Sequence, residues 1–116
     1  MQNANNFFGK SNGSENLWRY SFTSFIYTDG IKTMAQDCQA YWLIDLIISH
    51  QTNQKVNQQP FQVWELKRAN NNVFNIVAND GNDNKIASQK IPFSDFCYDS
   101  ATIWLVDGCL MFPCEY

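Results

Sequence analysis

Residues 61–67 read FQVWELK, and this stretch decides the fold because the spacing of apolar residues changes there. Ahead of Pro60 they recur at helical intervals. After it, Phe61, Val63 and Glu65 alternate with Gln62, Trp64 and Leu66, the period of two that a strand requires. Downstream, RANNN leads into VFNIVAN, and NDGNDN leads into KIASQKIPF. These read as two hairpins, with the DG pair supplying the positive φ of a tight turn. SDFCYDSA reads as a turn or short helical bridge, and TIWLV and CLMF, separated by Asp107-Gly108, as a last hairpin.

Upstream, residues 40–50 read AYWLIDLIISH. On a helical wheel Ala40, Leu43, Ile44 and Ile47 share one face, flanked by Ile48 and Tyr41 on one side and His50 on the other. Asp45 and Ser49 fall opposite, next to Trp42. Asp45 therefore reads as rim polarity on a core helix, and His50 lies near the C-terminal end, where an imidazolium suits the helix dipole. Before this helix, the turn Thr28-Asp29-Gly30 hands over to Ile31, Met34, Ala35 and Cys38 at helical spacing. From LWRYSF to SFIYT the apolar residues, Phe22 among them, have no clean period, so a short helix and an edge strand are equally admissible.

The expected class is α+β, with N-terminal helices packed on an antiparallel β-meander of about five strands. Residues 1–16 are expected to form a flexible N-terminal arm, pinned to the body by Phe7 and Phe8, and residues 17–116 a single α+β domain.

The 116 residues carry a formal net charge of −3, and 45% are hydrophobic. That suits one domain with a genuine core. Nine Phe, five Tyr and four Trp supply the large apolar surfaces. The start, MQNANNFFGK, lacks a basic and apolar secretion signal, and the apolar run at 40–48 is too short to span a bilayer. A cytoplasmic protein without membrane contact is expected, with Cys38, Cys97, Cys109 and Cys114 as thiols. Cys109 and Cys114 are spaced more widely than the C-x-x-C pairs of zinc sites. Neither a metal nor a cofactor is expected.

No GxGxxG, GxxxxGK, HExxH or GxSxG motif occurs, and His50 is the lone histidine. These features favour a binding protein over an enzyme. The alternative is a small hydrolase of RNA or of a signalling nucleotide that uses Asp45 with Glu65 or His50. Asp80, Asp83, Asp95, Asp99, Asp107 and Glu115 outnumber Lys85 and Lys90 late in the chain. They read as a solvated acidic face, or as a surface that meets a basic partner. Arg19, Lys32, Lys67 and Arg68, with Trp18, Tyr20 and Trp64, make no basic stripe, so any direct RNA contact is expected to be weak, and a weak RNA-binding regulator is the other alternative.

The order YTDGIKTMAQ, AYWLIDLIISHQ, FQVWELK, IPFSDF and DGCLMFPCEY resembles a family of small bacterial proteins of uncharacterised activity from plasmids, phages and cyanobacterial genomes. The family's pattern is a TDG turn, a YWLID helix and a Leu-Pro-Ser-Glu-Tyr ending. This chain departs by carrying Phe112 and Cys114 where that ending has Leu and Ser. The resemblance covers residues 17–116 and brings no catalytic residues. It implies a mobile-element setting. By analogy the expected function is inhibition of a host defence nuclease by protein–protein contact, of the anti-CRISPR type, with an RNA-guided RNase effector as one such target. The expected partner-binding residues are Trp18, Arg19, Tyr20, Trp42, Lys67 and Arg68, since Trp, Tyr and Arg carry most interface affinity.

Overall fold

In the computed structural model, residues 3–5, 17–20 and 23–116 are described. Two short strands come first, β1 (Leu17–Arg19) and β2 (Ile26–Thr28). Three short helices follow, α1 (Asp29–Asp37), α2 (Tyr41–Ser49) and α3 (Gln54–Asn57), and then five strands: β3 (Phe61–Asn70), β4 (Val73–Asn79), β5 (Lys85–Ile91), β6 (Ser100–Val106) and β7 (Cys109–Met111).

The seven strands form one sheet in the order β1-β2-β7-β6-β3-β4-β5. Every neighbouring pair is antiparallel except β2 and β7, which run parallel. This overturns the expected N-terminal helices on a five-strand antiparallel meander. The helices stand between the second and third strands, the sheet is mixed, and only β3-β4-β5 run as a meander. Three-residue strands such as β1 and β2 are too short to show a period, and a parallel neighbour more than eighty residues away leaves no local mark. The undecided segment 17–28 thus contributes edge strands, while Phe7, Phe8 and Phe22 lie outside the described residues.

One face of the sheet is covered. Trp64, Leu66, Phe74, Ile76, Ala101, Ile103, Leu105 and Leu110 point into a core completed by Ile31, Met34 and Ala35 of α1 and by Leu43, Ile44 and Ile47 of α2. Alternation puts Phe61, Val63, Glu65 and Trp104 on the opposite, half-covered face. There Phe61, Trp104 and Tyr116 close an aromatic cluster with ring centroids 5.0 to 6.2 Å apart. Two glutamines enter the core and satisfy each other. Gln51 Nε2 donates to Gln62 Oε1 and Gln62 Nε2 to Gln51 Oε1, while Trp64 Nε1 also donates to Gln62 Oε1. A buried amide without such partners would cost roughly 1–3 kcal/mol.

The connection from β5 to β6 passes the β3–β4 turn instead of joining adjacent strands. Arg68 holds it there. Its Nε donates to Asp99 Oδ1 at 2.9 Å, its Nη2 to the carbonyls of Phe96 and Tyr98, its Nη1 to the carbonyl of Asn71, and its guanidinium lies 4.6 Å from the Phe74 ring centroid. At the other end of the sheet the TDG turn meets the chain's last residues. Thr28 caps α1 by accepting from the Ile31 N–H and donates its hydroxyl to Glu115 Oε1 at 2.8 Å. Gly30 lets that carboxylate come close: a Cβ there would stand 2.9 Å from Glu115 Oε2 and would displace it. Residues 3–5 run along the β6 edge beyond β7. The Ala4 N–H donates to Ser100 O, and the Asn5 side chain bonds both backbone groups of Thr102.

Candidate binding site

The exposed side of α2 carries Trp42 and Leu46, one helical turn apart and both half-buried. Facing them is β5, the last strand of the sheet, whose outer side pairs with no other strand among the described residues. Pro92 ends β5, since proline has no N–H for a ladder. Beyond it the chain is pinned: the Ser94 N–H donates to Asn72 O, the Ser94 hydroxyl accepts from the Phe96 N–H, and Phe96 is buried edge-on against Phe74 and Trp42. Pinning on both sides leaves Phe93 in solvent, 70% exposed. Trp42, Leu46, Gln89, Ile91 and Phe93 border an open groove of about 420 Å³, with Lys90 and Asp95 at its margin.

β5 itself carries Lys85 and Lys90 and no carboxylate, with Asp83 just ahead of it and Asp95 in the groove lining. Lysines on a free edge discourage pairing with a second copy of the same edge and leave it open to an acidic segment. Behind Gln89, His50 Nε2 lies within hydrogen-bond distance of Gln89 Oε1 at 2.8 Å, and the His50 ring centroid lies 5.4 Å from that of Trp64.

The six residues expected to bind a partner fall in three separate places. Trp18, Arg19 and Tyr20 lie on or just after β1, at the far edge of the sheet. Trp18 Nε1 donates to Asp29 Oδ1 at 2.7 Å, and Lys32 Nζ sits 3.2 Å from the Trp18 ring centroid. The Tyr20 hydroxyl donates to Asp45 Oδ1 at 2.7 Å, and this bond, more than burial, raises the phenol above its usual pKa. Arg19 is exposed. Lys67 is exposed near the end of β3, 3.7 Å from Glu65, and Arg68 is committed to the 96–99 segment. Only Trp42 lines the groove.

The residues considered for hydrolysis are also apart. Asp45 bonds Tyr20, His50 bonds Gln89, and Glu65 stands on the sheet face opposite the helices. Trp64, named with the basic residues for an RNA contact, is 1% exposed. Among the described residues, no three His, Cys, Asp or Glu side chains gather as a metal site, and no helix is long and apolar enough to cross a membrane. Sequence reasoning missed Phe93, Gln89 and Ile91. The available signal was IPFSD, an aromatic directly after the proline that ends a strand.

Residues 2–116 match a family described as a family of unknown function, DUF6876. The chain belongs to that family. Searches of curated proteins and of solved structures return no match. DUF6876 membership spans the groove, the sheet and the Thr28–Glu115 contact together.

Proposed function

We propose that this DUF6876 chain is a binding protein that takes an extended, acidic segment of a partner protein along the free edge of β5, with a bulky apolar side chain seated between Trp42 and Phe93. One observation carries the reading: a 70% exposed Phe93 is held beside an apolar groove and a strand whose outer edge has no paired neighbour among the described residues. Leaving such a ring in water forfeits roughly 1.5–3 kcal/mol of burial, which a partner can recover. The strand supplies backbone hydrogen bonds to an added segment, the groove supplies side-chain choice, and Lys85 and Lys90 favour carboxylates.

The partner class we attach to this reading is a host defence nuclease of the RNA-guided kind, blocked by protein–protein contact. Its support is the resemblance to mobile-element proteins together with an acidic chain that has no basic stripe. Selection of displayed random peptides on the full chain tests the binding mode. Recovered sequences should share a large apolar residue flanked by Asp or Glu and should bind Phe93→Ala at least roughly tenfold more weakly. Basic sequences, or binding indifferent to Phe93, would refute the site. Cleavage by a purified RNA-guided RNase, with and without the protein, tests the partner class; undiminished cleavage across such effectors removes the inhibitor reading and leaves the groove standing.

A further inference from the structure

Cys38 ends α1 and is 6% exposed, whereas Cys97 lies 59 positions later in the β5–β6 connection and is exposed. The fold brings their sulfurs to 2.7 Å, inside the contact distance of two thiols. A disulfide bond needs about 2.05 Å. A small movement of either side chain therefore closes it, and Cys97 is open to a reagent from solvent.

We propose that Cys38 and Cys97 form a thiol pair that exchanges with low-molecular-weight disulfides, Cys97 as the entry thiol and Cys38 as the resolving one. In the first step the Cys97 thiolate attacks one sulfur of oxidised glutathione. The glutathione S–S bond breaks, one glutathione thiolate leaves, and Cys97 holds the other half as a mixed disulfide. In the second step Cys38 loses its proton and attacks Cys97 Sγ. The Cys38–Cys97 bond forms as the second glutathione leaves, so two protein thiols are oxidised, one glutathione disulfide is reduced, and the two thiol protons end on the two glutathiones. The order follows from access, and the chemistry of Cys38 supports it. Burial first, then the neighbouring Cys97 sulfur and Asp37 carboxylate, push its thiol up to about 12, so it stays protonated until a mixed disulfide is held against it.

The bond would tie the end of α1 to the β5–β6 connection and close a long loop around α2, α3, β3, β4 and β5. Loops of that length stabilise appreciably when closed. This assignment is independent of the groove reading and stands or falls by itself.

The full chain, reduced and then incubated with oxidised glutathione, is examined by intact mass and by peptide mapping without reductant. The expected product lacks two hydrogens, joins the peptides of Cys38 and Cys97, and melts about 5–15 °C higher than the reduced chain. Cys38→Ser should stop at a stable glutathione adduct on Cys97, and Cys97→Ser should leave Cys38 unmodified. Should either variant fold poorly, rate measurements on the wild type decide, because Cys97 must react before Cys38. A lasting adduct on Cys97 of the wild type, a bond to Cys109 or Cys114, or no reaction overturns the proposal.

Discussion

The two edges of the sheet are built differently. At the β1 edge a three-residue strand is braced from the side: Trp18 donates to Asp29 beneath a Lys32 ammonium, and Tyr20 donates to Asp45. At the β5 edge a seven-residue strand ends the sheet without a paired neighbour among the described residues, and the groove beside it holds an exposed ring that no hydrogen bond could satisfy. Polar aromatics at the first edge already have partners within the molecule; the exposed Phe93 ring at the second has no ring partner among the described residues. An aromatic residue is informative about binding only once its partners are known.

Arg68→Ala should strike hardest, because it frees the connection that positions Phe93 and leaves the Phe96, Tyr98 and Asp99 oxygens without their donor. A loss of about 2–3 kcal/mol in denaturant unfolding is expected, together with weaker peptide binding. Stability unchanged within about 0.5 kcal/mol would remove Arg68 from this role. Next comes Phe93→Ala. At 70% exposure it should leave the melting temperature nearly unaltered and weaken binding roughly 10- to 100-fold by calorimetry. That separation of binding from stability is what a solvent-facing contact predicts.

Trp18→Ala should do the opposite, costing about 1 kcal/mol through the lost Asp29 hydrogen bond and Lys32 contact while peptide affinity holds. An affinity loss without a stability loss would reassign the β1 edge as the working surface, with Trp18, Arg19 and Tyr20 as its contacts.

The smallest effect is on alkaline stability. Tyr20 has a folded-state pKa raised above 10.0 by its bond to Asp45. The phenol's contribution is therefore fully present below its unfolded pKa and is lost as pH rises through the folded value. Tyr20→Phe should lower stability by about 0.5–1 kcal/mol at neutral pH and lessen the decline above pH 10. A decline as steep as in the wild type would mean that another group causes it.

Much of the second half of the fold was legible. The alternation from Phe61 onward, and the turns at Asn71 and at Asp107-Gly108 with their positive φ, all appear as strands and turns. The covered faces of α1 and α2 were legible too, because Ile31, Met34 and Ala35, and Leu43, Ile44 and Ile47, recur at helical spacing and are buried. What could not be read was non-local: the parallel pairing of β2 with β7, and the departure of β6 from the meander, a route that Arg68 fixes by bonding carbonyls about thirty residues away. The groove was hidden for the same reason. Trp42 stood out by residue type, but Phe93 acquires its meaning only when β5 lies beside α2. Cys38 and Cys97, 59 positions apart, carry no spacing signal at all.

The central claim, that the β5 edge and not the β1 edge receives the partner, is tested most directly by titrating the isotope-labelled chain with a selected acidic peptide and following backbone amide and indole NMR signals. The account predicts shifts confined to Lys85–Ile91, to Phe93 and to the Trp42 indole, with slowed exchange of β5 amides as they gain hydrogen-bond partners. Shifts centred on the Trp18 indole and the amides of Leu17–Arg19, with β5 unmoved, would contradict it.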